Sequence, residues 1–272
     1  MTADAAGEPA GTVVDLDGVR TWYATHGAGE PLVYLHGGFS DSRELAPLLP
    51  RYAERFHVHT PDRRGHGRTP DVDGPFDFER LAGDIAAFVE RVVGGPAHLV
   101  GFSDGATTAL HVALRRPDLV RRLVLISGQY HADGLLPGLL APNFADDPAA
   151  AAAAMLSSRL HRRYVEVSPD GPDHFLTVTE KILRMAATEP RLDVRDLAGV
   201  RARTLVVAGD DDAIAAEHTL ALYRGIPDAE LAVVPGTSHV LISEKPDLVG
   251  QLVLDFLTTG PVRTLAPIRR KA

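Results

Sequence analysis

The feature that most constrains this chain is a serine between two glycines where a strand meets a helix. Gly101-Phe102-Ser103-Asp104-Gly105 follows the apolar run 98–100 and precedes a helical stretch that ends at Arg116. A turn this tight holds the serine in a strained backbone conformation and needs small residues on both sides. The pattern predicts a serine hydroxyl that projects above a sheet, with the amide of Asp104 directed at any oxyanion formed beside it.

Short apolar runs alternate with helical stretches along the chain. The segments 11–14 and 19–24 flank a turn at 15–18, which predicts an antiparallel hairpin at the edge of a sheet. The run 31–38 is apolar and ends in glycines, as expected for a central strand buried on both faces. Further strands are predicted at 56–60, 98–101, 123–127, 204–209 and 230–235, and helices at 77–93, 105–116, 217–224 and 245–257. This alternation indicates an α/β fold with a mostly parallel sheet.

The interval 129–203 interrupts that alternation. It contains no convincing strand, but it contains predicted helices at 148–164 and 172–188. We therefore predict a core domain formed by 1–128 and 204–260, a helical insertion at 129–203 and a flexible tail at 261–272.

Composition narrows the functional classes. The chain has 272 residues, of which 45% are hydrophobic and 24% charged, as in a folded globular protein with a large core. The net charge of -8 disfavours binding to nucleic acid or to an anionic membrane surface. The absence of cysteine excludes disulfides, thiolate metal sites and a cysteine nucleophile. With no signal-like N-terminus and no long apolar run, we expect a cytoplasmic protein that does not contact membranes.

A serine nucleophile needs a base that an acid orients. His239 is the candidate base, because it lies in a glycine-containing loop after the last predicted strand. The candidate acids are Asp210, Asp211 and Asp212, which end the strand at 204–209, where carboxylates face the ligand side of a parallel sheet. Three consecutive side chains point in different directions, so they cannot all reach one imidazole. Spacing alone does not show which of the three aspartates is the acid.

The loop His36-Gly37-Gly38-Phe39 follows a buried strand and is the candidate source of a second oxyanion donor, the amide of Gly38 or of Phe39. The segment 62–69 is predicted to be a structural turn in which Asp62 accepts backbone amides. The candidate substrate-binding residues are His36, Phe102, His131 and Val240.

Taken together, these motifs resemble the α/β-hydrolase superfamily over residues 13–257. Ser103, Asp212 and His239 follow one another in the order nucleophile, acid and base that is typical of that family. In the family the acid commonly lies three residues after a glycine, and Asp212 lies three residues after Gly209. The insertion lies where the family inserts a cap domain. The resemblance therefore implies a cap that roofs the substrate pocket. The apolar cap residues either form walls of that pocket or pack within the cap itself: Leu156, Leu160, Phe175, Ile182 and Met185.

The tight turn at 101–105 corresponds to the nucleophile elbow of this superfamily. Serine at its centre distinguishes the chain from the similar haloalkane dehalogenases and epoxide hydrolases, which carry aspartate there. The resemblance leaves esterases, lactonases, C–C bond hydrolases, perhydrolases and aminopeptidases. We predict a serine hydrolase of carboxylic ester hydrolase type that acts on a small ester, thioester or lactone. We expect a small-molecule acyl substrate, no cofactor or metal, and a monomer or homodimer.

Two alternatives remain: a small-molecule binding or regulatory protein on the same fold, and a prolyl aminopeptidase with acidic cap residues, for which Glu166, Asp170 and Asp173 are available.

Overall fold

One mixed sheet organises the molecule. The computed structural model describes residues 11–138, 140–141, 143–261 and 264–266. In this part of the chain eight strands form a sheet in the order β1-β2-β4-β3-β5-β6-β7-β8. The strands are β1 (Thr12–Leu16), β2 (Val19–His26), β3 (Glu30–Leu35), β4 (Phe56–Pro61), β5 (Ala97–Phe102), β6 (Val120–Ile126), β7 (Arg203–Asp211) and β8 (Ala229–Ser238). The β1–β2 and β2–β4 pairs are antiparallel and the remaining pairs are parallel. The predicted α/β class and the edge hairpin are confirmed.

Helices cover both faces of this sheet. In the described residues they are α1 (Leu49–Ala53), α2 (Phe78–Phe88), α3 (Asp104–Arg115), α4 (Pro148–Ala154), α5 (Arg159–Val167), α6 (Phe175–Thr188), α7 (Ala216–Gly225), α8 (Leu241–Glu244) and α9 (Pro246–Thr258). One apolar cluster joins the sheet to α2, α3 and α7, and a second joins it to α1, α8 and α9. The helices α4, α5 and α6 all lie between β6 and β7 in the chain, within the interval 129–203 that is called the insertion below.

The central strands are apolar throughout because both of their faces are covered. In β6, Leu123 and Leu125 belong to the first apolar cluster, whereas Val124 and Ile126 belong to the second. Successive side chains of a strand point to opposite faces, so each face receives every second residue. All four side chains are buried. Burying each of these side chains stabilises the fold by about 1.5–3 kcal/mol relative to leaving it exposed. A shift of the strand by one residue would exchange its two faces, so this burial fixes the register of β6 and thereby the position of its end beside the site.

Two predicted helices differ from the observed ones. The predicted helix 148–164 is divided into α4 and α5, because Ser157 has a positive φ of 70° and the side chain of Ser158 caps the new helix by accepting from the amide of His161. The predicted helix 77–93 changes after α2 into a π-helical turn, Val89–Val93, that ends at Gly94. The predicted tail 261–272 lies outside the described residues except for 261 and 264–266. In the described part of the chain, no helix is long and apolar enough to cross a membrane.

Candidate active site

Ser103 lies in the sharp turn between β5 and α3. Its backbone has φ 53° and ψ -120°, and its amide donates to the carbonyl oxygen of Ile126 at 2.8 Å. A Cβ atom on Gly105 would be 2.1 Å from the carbonyl oxygen of Leu35, and one on Gly101 would be 2.3 Å from that of Gly105. Glycine at both positions therefore lets α3 approach the sheet closely enough to form this turn.

Ser103, His239 and Asp212 form a continuous hydrogen-bonded series. The Oγ atom of Ser103 is 3.0 Å from Nε2 of His239, and Nδ1 of His239 is 2.7 Å from Oδ1 of Asp212. The three residues directly follow β5, β8 and β7. Parallel strands end at the same edge of a sheet, which is how residues up to 136 positions apart come together. In the tautomer that fits both contacts, Nδ1–H donates to the carboxylate and Nε2 accepts from the serine hydroxyl.

The carboxylate of Asp212 is held by several donors besides His239. Its Oδ2 atom accepts from Oγ of Ser127 at 2.5 Å and from the amide of Gly209 at 3.2 Å, and Oδ1 accepts from the amide of Ile214 at 3.1 Å. Burial alone raises the pKa of this carboxyl, but the hydrogen bonds from His239 and Ser127 bring the pKa below its ordinary value. Asp212 is therefore an oriented anion at neutral pH.

The other two aspartates of the triplet face elsewhere. Asp210 is exposed, and its Oδ1 atom accepts from the amide of Thr237 at 3.0 Å. Asp211 is also exposed and pairs through its backbone with Ser238 of β8. Of the three candidate acids, Asp212 is thus the one that contacts His239.

The loop after β3 faces the serine. The amide of Gly37 donates to Oε2 of Glu44 at 2.8 Å, so this amide is already engaged. Gly38, Phe39 and Asp104 all line the cavity that contains Ser103. As the first residue of α3, Asp104 has an amide without an acceptor inside the helix. The three residues predicted to supply oxyanion donors therefore line the same cavity as Ser103.

Glu44 was not identified from the sequence. Its carboxyl supports Gly37 and lines the same cavity. Burial raises its pKa to about 7, although the hydrogen bonds from Gly37 and Ser40 act in the opposite direction. Ser127 was missed as well; its only signal was its position directly after β6, between the strands that carry the serine and the acid.

The four predicted substrate-binding residues divide into two groups. Phe102 and Val240 line the cavity. His36 is fully buried beneath it: its Nδ1–H donates to the carbonyl of Gly37 at 2.8 Å, and its Nε2 accepts from the amide of Arg63 at 3.1 Å. Both ring nitrogens are thus used in holding the loop.

His131 also departs from the prediction. It lies outside the lining of the cavity, where its Nδ1 accepts from the amide of Asp133 at 3.2 Å. The sequence-based assignments of His36 and His131 are corrected accordingly: the first supports the loop after β3, and the second caps a 3-10 turn.

The cavity above Ser103 has a volume of about 770 Å³, and residues of the insertion form much of its wall. Leu160 and Ile182 line it, as predicted. Phe175 and Met185 instead pack inside the apolar cluster of the insertion, and Leu156 is 42% exposed. The wall that the insertion forms is therefore partly apolar, and Arg159 and Arg163 add charged side chains to it.

A family model described as "Alpha/beta hydrolase family" matches residues 32–252, which is most of the chain. The chain belongs to the alpha/beta hydrolase family.

Similar proteins carry the names of hydrolases. A putative carbamate hydrolase from Azorhizobium caulinodans is 28% identical over 249 residues, covering 86% of this chain and 94% of its own length. A 2-(acetamidomethylene)succinate hydrolase from Mesorhizobium japonicum is 27% identical over 260 residues, with 90% and 94% covered. The solved enol-lactonase from Burkholderia xenovorans has the same fold, with a TM-score of 0.73 at 22% identity, covering 91% of this chain and 100% of the other. These relatives support a hydrolytic enzyme for this alpha/beta hydrolase.

We predict that Asp212→Asn lowers kcat/KM for p-nitrophenyl esters by about 10³- to 10⁴-fold, because the amide cannot stabilise the imidazolium or fix its tautomer. The exposed Asp211→Asn is the matched control and should change little. Steady-state kinetics of the two purified variants check this. A larger loss in Asp211→Asn than in Asp212→Asn would refute the assignment of the acid.

We also predict a pH-dependent stability that originates from Glu44. Its pKa of about 7 in the folded state lies above the ordinary value of 4.5. The folded state thus holds a proton that the unfolded state releases, and stability falls as pH rises from about 4.5 to about 7. Glu44→Gln should lose less stability between pH 5 and pH 8 than the wild type, as measured by urea unfolding. The exposed Glu54→Gln serves as control and should follow the wild type; equal losses in all three proteins would contradict the prediction.

Proposed function

We propose that this chain is a serine hydrolase that cleaves a small carboxylic ester, thioester or lactone. The observation that carries the proposal is the hydrogen-bonded series from Ser103 Oγ to His239 Nε2 at 3.0 Å and from His239 Nδ1 to Asp212 at 2.7 Å. Both distances allow proton transfer and orientation of the base without movement of the backbone.

In the first half of the reaction, Ser103 Oγ attacks the substrate carbonyl carbon while Nε2 of His239 takes the hydroxyl proton. The carbonyl oxygen becomes an oxyanion, which the amides of Asp104 and of Gly38 or Phe39 stabilise. Asp212 stabilises the imidazolium that results. When the tetrahedral intermediate collapses, the bond to the alcohol, thiol or ring oxygen breaks, and His239 returns the proton to that leaving atom.

In the second half, water releases the acyl group from Ser103. Nε2 of His239 takes a proton from the water, whose oxygen attacks the acyl carbon. The second tetrahedral intermediate collapses to the free carboxylic acid, and the proton passes back to Ser103 Oγ. Phe102 and Val240, which flank this centre in the cavity, would contact the substrate.

The cavity and the relatives limit the substrate class. A volume of about 770 Å³ with largely apolar walls suits a small acyl compound as the partner of this site. The names of the relatives refer to a carbamate, a succinate derivative and an enol-lactone. An aminopeptidase is not favoured, because Glu166 pairs with Arg43 and Asp170 accepts from the amide of Asp71.

The test is turnover of short esters and lactones by wild type and by Ser103→Ala. We expect kcat for p-nitrophenyl butyrate to fall on the order of 10⁴- to 10⁶-fold in the variant, because the substitution removes the hydroxyl that His239 activates. Circular dichroism should show that the variant remains folded. An unchanged rate in Ser103→Ala would reject the nucleophile and, with it, this function.

A further inference from the structure

A group of arginines lies on one face of the insertion beside the cavity. The side chains of Arg159 and Arg163, four positions apart on α5, face the same direction as Glu166. Together with Arg43 and Arg162 they surround a depression of about 480 Å³, which we call the arginine groove. Arg43, Arg159 and Arg163 also line the cavity that contains Ser103, so the groove adjoins the candidate active site.

Arg43 uses four of its five N–H donors on other groups of the protein. It contacts both carboxylate oxygens of Asp41 at 2.9 Å, Oε2 of Glu166 at 2.7 Å and the backbone oxygen of Arg163 at 2.7 Å. This guanidinium therefore uses both nearby carboxylates and fixes the position of α5.

Arg159 and Arg163 are in a different situation. Arg163 reaches Asp41 only at 3.4 Å, and its buried Nε has no hydrogen-bond partner among the described residues. Arg159 makes no ion pair or hydrogen bond through its side chain with any residue that the structure describes. The groove thus contains four guanidiniums, whereas the carboxylates paired with them are those of Asp41 and Glu166, both held by Arg43. This is a local excess of positive charge on a chain whose net charge is -8.

The unpartnered Nε of Arg163 is buried, and such a donor is costly unless a ligand or a water molecule supplies an acceptor. Arg159 is exposed at the edge of the same cavity. Guanidinium groups match carboxylates in charge and in planar geometry. Glu44 lines the same cavity as Arg163, but its carboxyl already accepts from the amide of Gly37. The apolar residues Leu160 and Ile182 line the same cavity as the arginines and Ser103.

We propose that Arg159 and Arg163 bind a carboxylate at the end of the substrate remote from the bond that is cleaved. The ligand class is an acyl compound with a terminal carboxylate and an apolar spacer, as in a half-ester of an aliphatic dicarboxylic acid. This inference rests on the proposed hydrolase function, and it adds the charge of the substrate to it.

The test compares p-nitrophenyl hydrogen adipate and suberate, which carry one negative charge, with their neutral methyl esters. Wild type should prefer the anionic member of a pair, and Arg159→Gln or Arg163→Gln should reduce that preference in kcat/KM by about tenfold, mainly through KM. Arg55→Gln removes the same charge from an exposed position before β4 and should leave the preference unchanged. No preference in wild type, or an equal reduction in Arg55→Gln, would overturn the proposal.

Calorimetric binding of the same esters to Ser103→Ala separates this inference from the proposed function. If Ser103→Ala binds the anionic ester more tightly than the neutral one, and if adding Arg159→Gln abolishes this difference, the arginine subsite is supported. That conclusion holds even if the wild type hydrolyses none of the esters. In that case the hydrolase proposal fails and the subsite proposal stands. Turnover of all esters with equal affinity for both members of each pair would retain the hydrolase and reject the subsite.

Discussion

The candidate site depends on how closely α3 approaches the sheet. Glycines on both sides of Ser103 allow backbone contact between the start of the helix and the ends of β3 and β5. The strained conformation of Ser103 costs about 1–3 kcal/mol and persists because the surrounding strands determine it. Ser127, with φ 51°, repeats this feature on the neighbouring strand, where its amide donates to the carbonyl of Val207 at 2.8 Å. Two strained serines thus place their hydroxyls within hydrogen-bond distance of His239, in the case of Ser103, and of Asp212, in the case of Ser127.

Three carboxyl groups around the cavity have different electrostatic environments. Asp212 receives several hydrogen bonds, which keep its pKa low and its charge negative beside His239. Burial raises the pKa values of Glu44 and Asp104, although Arg63 opposes this effect at both carboxyls. A negative charge near the oxyanion would oppose its formation, whereas one behind the imidazole favours it. Burial therefore disfavours ionisation near the proposed oxyanion donors, whereas hydrogen bonds favour it at Asp212.

The sequence predicted the parts of the site that follow from local patterns. The elbow was predictable because its glycines are required by one tight turn, and His239 because it follows a strand. Asp212 was separated from Asp210 and Asp211 only by resemblance to a family, since the direction of a side chain in a loop depends on tertiary contacts. Ser127, Glu44 and the arginines of α5 were not predictable, because their roles arise from contacts between segments far apart in sequence. His36 was misassigned for the same reason: sequence position beside a functional loop does not reveal that a ring points into the core.

The most direct measurement is labelling of the wild-type protein with a fluorophosphonate, followed by peptide mass mapping. These probes require an activated serine and no knowledge of the substrate. The account predicts a single modification at Ser103 that disappears in His239→Ala, because that serine relies on this base. A folded wild-type protein without any modification, or one modified at another serine, would contradict it and favour a binding protein on the same fold.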